Sequence, residues 1–331
     1  MRLLVLRAQP GHRGGRRTDD LSPRLTNGRQ SFDTFSRAVK FAADASLDSG
    51  ATFPACAMYD LHCHLLPAID DGPVNLATAL EMARMAVADG ITTVACTPHI
   101  YPGVYDNDAV GIRSAIARFQ IELEARDIEL VLVEGADVHL APNLIDGIRA
   151  GRIATLAGSR YLLLEPPHHV APPRFEESVF ELMTQGIVPV ITHPERLSWV
   201  DSHFDVFTRL AARGAWMQIT AGSLTGRFGS RPRNAAERFV GDGMCMILAT
   251  DAHHPRRRPP LLAEARDAAA RIVGDGEATH MVLTRPLGIV KDVPPSSLPP
   301  ALSFDGDRAQ SRDRDATGGL ISRFLGRWSR A

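Results

Sequence analysis

The residues most able to do chemistry begin at Asp60-Leu-His62-Cys-His64. In a β-strand, side chains two apart share a face, so Asp60, His62 and His64 can converge while Leu61 and Cys63 point away. Two imidazoles on one side are half of a metal site. Alone such a pair is weak, and Asp70-Asp71-Gly72 just beyond it reads in isolation as a turn with solvated carboxylates. The same arrangement then recurs at one apolar run after another. Thr93-Val-Ala-Cys-Thr-Pro98 ends in His99, and Leu130-Val-Leu-Val-Glu-Gly135 is followed by Asp137 and His139. Tyr161-Leu-Leu-Leu164 ends in Glu165 and Val188-Pro-Val-Ile-Thr192 in His193-Pro-Glu-Arg196. Met246-Ile-Leu-Ala-Thr250 ends in Asp251-Ala-His253.

One histidine at the end of a buried run is more often core than ligand. Six runs that each deliver His, Asp or Glu at the C-terminal end point to a shared metal centre, because βα loops build active sites there and a bare buried carboxylate is costly. Mixed imidazole and carboxylate donors suit Mn²⁺, Fe²⁺ or Zn²⁺ better than Mg²⁺ or a structural zinc knot. Several such ions can activate water near neutral pH and neutralise oxygens on phosphorus. Arg196 three residues after His193, and Arg256, Arg257 and Arg258 just after His253, could add guanidinium forks that grip a phosphate.

These strand ends need a scaffold. Short apolar runs near 58–62, 92–96, 129–134, 161–165, 187–192, 215–220 and 245–250 alternate with amphipathic segments, the pattern of βα units and a parallel sheet. Leu76, Ala79, Leu80, Ala83, Ala86 and Val87 recur at helical spacing over 75–89 before Gly90, and a helix over 203–213 stops at Gly214. Seven units can close a barrel or form an open doubly wound sheet, and periodicity does not choose between them. Polar residues gathered at every strand end favour the barrel.

The ends of the chain read differently. Residues 1 to about 56 are rich in Arg, Asp, Ser and Gly and lack periodicity, so composition predicts a disordered extension; the alternative is a translation start at Met58. From 291 onward, Pro294, Pro295, Pro299 and Pro300 open a Pro/Arg/Asp-rich tail. Within it Leu320, Ile321, Phe324, Leu325 and Trp328 would share one face of a short helix over 319–330, a candidate for weak contact with an anionic membrane surface.

Of 331 residues 44% are hydrophobic, but none of the apolar runs is long enough to span a bilayer. A formal net charge of −1 offers no field to draw in nucleic acid, which argues against such a partner. Cys56, Cys63, Cys96 and Cys245 form no C-x-x-C pair, and the opening apolar stretch is too short for a secretory signal, so the expected location is the cytoplasm. A cysteine-dependent phosphatase needs Arg six residues after its nucleophile, where this chain has His62, Ile69, Pro102 and Asp251.

At these residues the chain resembles the PHP (polymerase and histidinol phosphatase) superfamily, and within it the bacterial protein-tyrosine phosphatases of capsule and exopolysaccharide operons. The resemblance rests on Asp60 to Pro73, Thr97-Pro-His99, Ser159 to Glu165, His193-Pro-Glu-Arg196, Gln218 to Gly229 and Asp251-Ala-His253, and covers about 58 to 275. It implies a distorted (βα)7 TIM-like barrel over 57–290 holding three divalent ions, usually manganese. One ion would take His62, His64, a bridging carboxylate and Asp251; a second would share that bridge with Glu165 and His193; a third would take Asp71, His99 and His253. Arg196 and Arg258 match the phosphate-binding arginines. Where such proteins carry a bridging Glu, this chain offers Asp137, one methylene shorter, with Glu134 as a rival.

The resemblance further implies in-line attack on phosphotyrosine by hydroxide formed at the metals, on a substrate that is the tyrosine-rich tail of a membrane-bound autokinase controlling polysaccharide export. Tyrosine leaves without needing a strong general acid, since a phenol has a pKa of about 10. Two other readings use the same residues: a PHP phosphoesterase acting on a small phosphate such as histidinol phosphate, and an inactive barrel that regulates a partner by binding it.

Overall fold

A computed structural model describes residues 57–302. The expectations for residues 1–56 and for the helix at 319–330 lie outside the described residues.

Among the described residues, nine parallel strands run in two ladders. The first pairs β1 (Met58–Cys63) with β2 (Ile91–Cys96), and β2 with β4 (Val131–Glu134). The second runs β3 (His99–Ile100), β5 (Asp137–His139), β6 (Tyr161–Glu165), β7 (Val188–Thr192), β8 (Trp216–Thr220) and β9 (Cys245–Ala249). Pro98 has no N–H to donate and interrupts the chain between β2 and β3, while Gly135-Ala136 separates β4 from β5. The two ladders are therefore one sheet of seven strand directions, broken across its second and third members. It closes where the chain beyond β9 meets the end of β1: Cys63 bridges Ala252, Asp251 N donates to His62 O at 2.7 Å, and His64 N to Ala252 O at 2.9 Å. Closure decides for the distorted seven-stranded barrel over the open sheet.

Helices cover the outside. In α1 (Leu76–Ala88), Asn75 caps the first turn by accepting from Thr78 N, and Ala79, Leu80, Met82, Ala83 and Ala86 are buried against the strands. Between the following strands lie α2 (Ala109–Glu124), α3 (Leu144–Arg149), α4 (Phe175–Thr184) and α5 (Phe204–Ala212). After β8 come α6 (Ala221–Leu224) and α7 (Ser230–Gly241), and after β9 come α8 (Ala263–Val273), α9 (Asp275–Thr279) and α10 (Arg285–Val290). No described helix is long and apolar enough to cross a membrane.

The strands are buried on both faces, as an enclosed parallel sheet requires. Their outward side chains join the helices in the larger core. The second core, which includes Tyr59, Leu61, Ala95, Tyr161, Leu163, Val190, Trp216 and Ile247, fills the barrel interior. Counting along each strand in steps of two from this inner set leads to the polar strand ends: Ala95 to His99, Leu163 to Glu165, Trp216 to Gln218, Ile247 to Asp251. The packed interior thus becomes the floor of the site.

Residues 291–302, read above as the opening of the tail, pack against the barrel. Leu298 joins Leu287 and Ile289 in the inner core, and Tyr161 Oη donates to Val293 O at 2.7 Å. The buried guanidinium of Arg285 holds the Pro299 carbonyl at 2.9 Å and the Pro300 carbonyl at 2.6 Å, and pairs with Glu277. Prolines that suggest a linker here supply fixed backbone carbonyls that close the barrel's lower end.

Candidate metal centre

All nine residues expected to hold metal gather at the upper end of the barrel. His64, Asp71, His99 and His253 place one donor atom each within 4.8 Å of one another, as do His62, His64 and Asp137; His62, His193 and Asp251; and His99, Asp137 and Glu165. A fifth cluster, of Glu165, His168 and His193, brings in a tenth residue, His168.

Asp137 lies at the middle. Its carboxylate is wholly buried, and Oδ2 stands 3.4 Å from His62 Nε2, 3.6 Å from His99 Nδ1 and 3.8 Å from His193 Nε2. Neither oxygen has a hydrogen-bond partner, a costly arrangement unless a cation, a protonated His62 or a metal ion, completes it. Glu134, the rival for this role, faces Arg113 at 3.1 Å and belongs to none of the clusters. It lies three residues before Asp137, at the end of β4 and before the break at Gly135-Ala136.

The imidazoles are aimed by hydrogen bonds on their far side. His62 Nδ1 donates to Gln218 Oε1 at 2.9 Å, His64 Nδ1 to Asp70 Oδ2 at 2.6 Å, and His253 Nδ1 to the Asp251 carbonyl at 3.0 Å. Each bond fixes the tautomer that leaves Nε2 as the donor facing the cluster. Asp70 also accepts from Gly72 N and His99 N, so one carboxylate fixes the loop that presents Asp71. Gly72 is required there, because a Cβ would lie 2.6 Å from the His64 carbonyl. His193 and Asp251 both have positive φ, backbone conformations that side chains rarely adopt, and both turn sharply off their strands to reach the centre.

Asp60 does not join the cluster. The β1–β2 pairing shifts register between Asp60 and Cys63, which puts Leu61 in the inner core while His62 and His64 face the site. Asp60 instead accepts from Thr250 N at 2.9 Å, tying β1 to the turn that carries Asp251. Burial raises its pKa to about 6, against the opposing hydrogen bonds from Thr250.

Charge is divided sharply. Burial pulls the His62 pKa down, but Asp137 and Asp251 outweigh it and hold it at about 9. Burial and the neighbouring His253 push His64 down to about 4. His193 falls to about 3, mainly through burial. Burial works against ionisation of Asp251 as well, yet Arg258, His62 and Arg196 keep it well below the usual carboxylate range.

Both expected phosphate-binding arginines meet on Asp251 Oδ2. Arg196 also lies over the Phe228 ring at 4.7 Å, and Phe228 is held by the loop after β8. That loop is fixed from below by Glu195, wholly buried, which accepts from Thr220 N at 3.0 Å and Ser223 Oγ at 2.7 Å. Arg258 is turned inward by its backbone bridge to His254, while Arg256 and Arg257 are exposed. Cys63, Cys96 and Cys245 are buried with their thiols pushed up by burial, so none of them is a ready nucleophile.

Sequence reasoning missed Gln218, Asp70 and Glu195 as positioning groups and His168 as a neighbour of the centre. Of these Gln218 alone had no candidate ligand close to it in sequence: Asp70 adjoins Asp71, Glu195 is two residues from His193, and His168 lies three residues beyond Glu165.

The family model for capsular polysaccharide synthesis proteins of the CpsB/CapC type matches residues 58–291, the whole barrel. The chain belongs to the CpsB/CapC family. It is 35% identical over 201 residues to the tyrosine-protein phosphatase YwqE of Bacillus subtilis, covering 61% of this chain and 79% of that one. It is 25% identical over 241 residues to the tyrosine-protein phosphatase CpsB of Streptococcus pneumoniae, covering 71% of this chain and 99% of that one. A crystal structure from work on YwqE and CpsB, described as metal-dependent tyrosine phosphatases, superposes with a TM-score of 0.70 at 31% identity, over 74% of this chain and 99% of the other.

Proposed function

We propose that this CpsB/CapC-family chain is a metal-dependent protein-tyrosine phosphatase, a phosphoric monoester hydrolase. The observation that carries this reading is the convergence of nine His, Asp and Glu side chains, among them the Asp137 carboxylate with no hydrogen-bond partner, with two guanidiniums on Asp251 at the edge of the cluster. His62, His64, Asp137 and Asp251 would hold one divalent ion, Asp137, Glu165 and His193 a second, and Asp71, His99 and His253 a third. Manganese is the expected metal. When bound, such ions activate water and neutralise the oxygens of a phosphate.

The chain's own side chains do the rest. Arg196 and Arg258 share one carboxylate oxygen of Asp251, so each retains N–H donors for the non-bridging oxygens of a phosphoryl group. Their fixed charges would stabilise the transition state as negative charge spreads over those oxygens. Phe228 restricts Arg196 from one face, so less freedom is lost when the phosphate is gripped. The leaving tyrosine exits into the open side of the site, where the Asp71 side chain is 46% exposed.

The physiological substrate in this reading is a phosphotyrosine-bearing segment of a membrane-bound autokinase of polysaccharide export, met in the cytoplasm. The test is phosphate release by metal-stripped protein, with Mn²⁺ added back or withheld, from a phosphotyrosine peptide, a phosphoserine peptide and histidinol phosphate. Manganese-dependent turnover favouring the phosphotyrosine peptide is expected. Turnover of histidinol phosphate alone would remove the protein-phosphatase assignment, and tight metal binding without any turnover would leave a binding regulator.

A further inference from the structure

His168 stands at the centre without a place in the ligand set carried over from the family. Its Nε2 is 3.8 Å from Glu165 Oε1, and its ring lies 5.0 Å from that of His193. Glu165, His168 and His193 present one donor atom each within 4.8 Å of one another, a spacing compatible with a single ion having bonds of about 2.0–2.2 Å.

The loop that carries His168 is built to hold it there. Pro166 and Pro167 follow Glu165 directly and restrict the backbone between the two donors. The Pro167 carbonyl then accepts from Trp199 Nε1 at 2.9 Å, and the His168 carbonyl from Ser198 N at 2.9 Å. Both donors lie on the segment just after His193 and Arg196. The His168 loop and the His193 turn are thereby fastened together on the side away from the centre, with the Trp199 indole itself packed on Phe207. A histidine serving only as solvent-facing surface would not need two hydrogen bonds to place its backbone. His169, next in the chain, is exposed and takes part in none of this.

Resting on the reading of this cluster as a metal centre, we propose that His168 is a tenth protein ligand, giving the ion at Glu165 and His193 a second imidazole. That ion would sit in a donor set of two nitrogens with carboxylate oxygens. Imidazole-rich sites favour Zn²⁺ and Fe²⁺ over Mn²⁺ more than carboxylate-rich ones do, so this position should be the one most selective for the softer metals.

Metal content and affinity of the full chain test this without any turnover measurement. H168A and the neighbouring control H169A are loaded with Zn²⁺ or Mn²⁺, gel-filtered, and analysed by elemental mass spectrometry and chelator competition. The expected result is that H168A retains one ion fewer than wild type, or binds one ion roughly 10- to 100-fold more weakly, with the larger loss for Zn²⁺. H169A should match wild type. Thermal melting of the metal-stripped variants checks that both are folded; His168 is partly exposed, so its removal leaves no core cavity. Equal stoichiometry and affinity in H168A and wild type would overturn the proposal. A wild-type protein that binds no ions would instead refute the metal centre as a whole.

Discussion

Loading the centre with a divalent ion should expel a proton from His62. Asp137 and Asp251 hold this histidine at a pKa of about 9, with the imidazole wholly buried. At pH 7 it is therefore about 99% protonated in metal-stripped protein, and an imidazolium cannot ligate. Removing that proton costs about 3 kcal/mol at pH 7, since each pH unit below the pKa corresponds to about 1.4 kcal/mol. Apparent affinity for the ion at His62 should rise close to tenfold per pH unit up to about pH 9 and then level off. Between pH 7 and 8.5 the gain is about 20-fold. His64 and His193, at about 4 and 3, are already neutral and add nothing to this slope. His99, raised by Asp137 and Glu165 against the effect of burial, belongs to the donor set of another ion and should give that ion a pH dependence of the same sense.

The same shift has an opposite consequence for metal-stripped protein. A histidine whose folded pKa lies above its ordinary value near 6.5 contributes stability that is fully present below that value and lost as pH rises through about 9. The metal-stripped chain should lose this contribution between pH 7 and 9.5, over the same range in which metal-loaded protein gains affinity. Titration calorimetry at pH 7.5 in HEPES and in Tris, whose ionisation enthalpies differ, would read the proton directly as a difference in apparent binding heat. Heats that agree in the two buffers, or an affinity flat from pH 7 to 8.5, would refute the electrostatic picture of His62 between two carboxylates.

Three substitutions probe other parts of the structure. Asp137→Asn should cost at least one ion per chain by elemental analysis and lower phosphate release about 10²-fold or more, because it removes the charge at the middle of the cluster. Asp137→Glu should keep the metals. Arg258→Ala should leave metal content unchanged while lowering kcat/KM for a phosphotyrosine peptide by about 10²-fold, the scale of one lost transition-state donor; an unchanged kcat/KM would remove Arg258 from phosphate binding. Glu277→Ala strands the buried Arg285 guanidinium at the lower end of the barrel. It should cost about 3–5 kcal/mol in urea unfolding of metal-stripped protein, with metal stoichiometry intact.

That the candidate ligands gather at one end of the barrel was legible in the sequence because their signal is local. Most lie within the last residues of an apolar strand or just beyond it, as His62 and Glu165 or His193 and Asp251 do, and period two carries the inner core to that end, as from Leu163 to Glu165. The seven longer strands were legible for the same reason, whereas the short β3 and β5 were not. Much of what aims the candidate ligands was not legible, because the partners meet only in the fold. Gln218 is 156 residues from the His62 it orients, and Asp60 is 190 residues from the Thr250 it holds. The lower closure was hidden differently: Pro294 to Pro300 has a linker's composition, and only the buried Arg285 reveals the use made of its carbonyls.

Asp60 and Asp137 show where strand periodicity itself gives out. Regular alternation puts Asp60 on the face of His62 and His64, and a register shift within β1 takes it away. Asp137 survives a comparable interruption at Gly135-Ala136 because β5 resumes alongside β6, where Asp137 pairs with Leu163 two residues before Glu165. That pairing leaves the carboxylate 3.4 Å from His62, 3.6 Å from His99 and 3.8 Å from His193. Asp137→Glu asks whether the extra methylene finds room beside these three imidazoles or pushes them apart. Retained metal content with a shifted Mn²⁺ electron paramagnetic resonance spectrum would show the centre adjusting around the longer bridge. Loss of ions would show that the fold has fixed the distance for Asp alone.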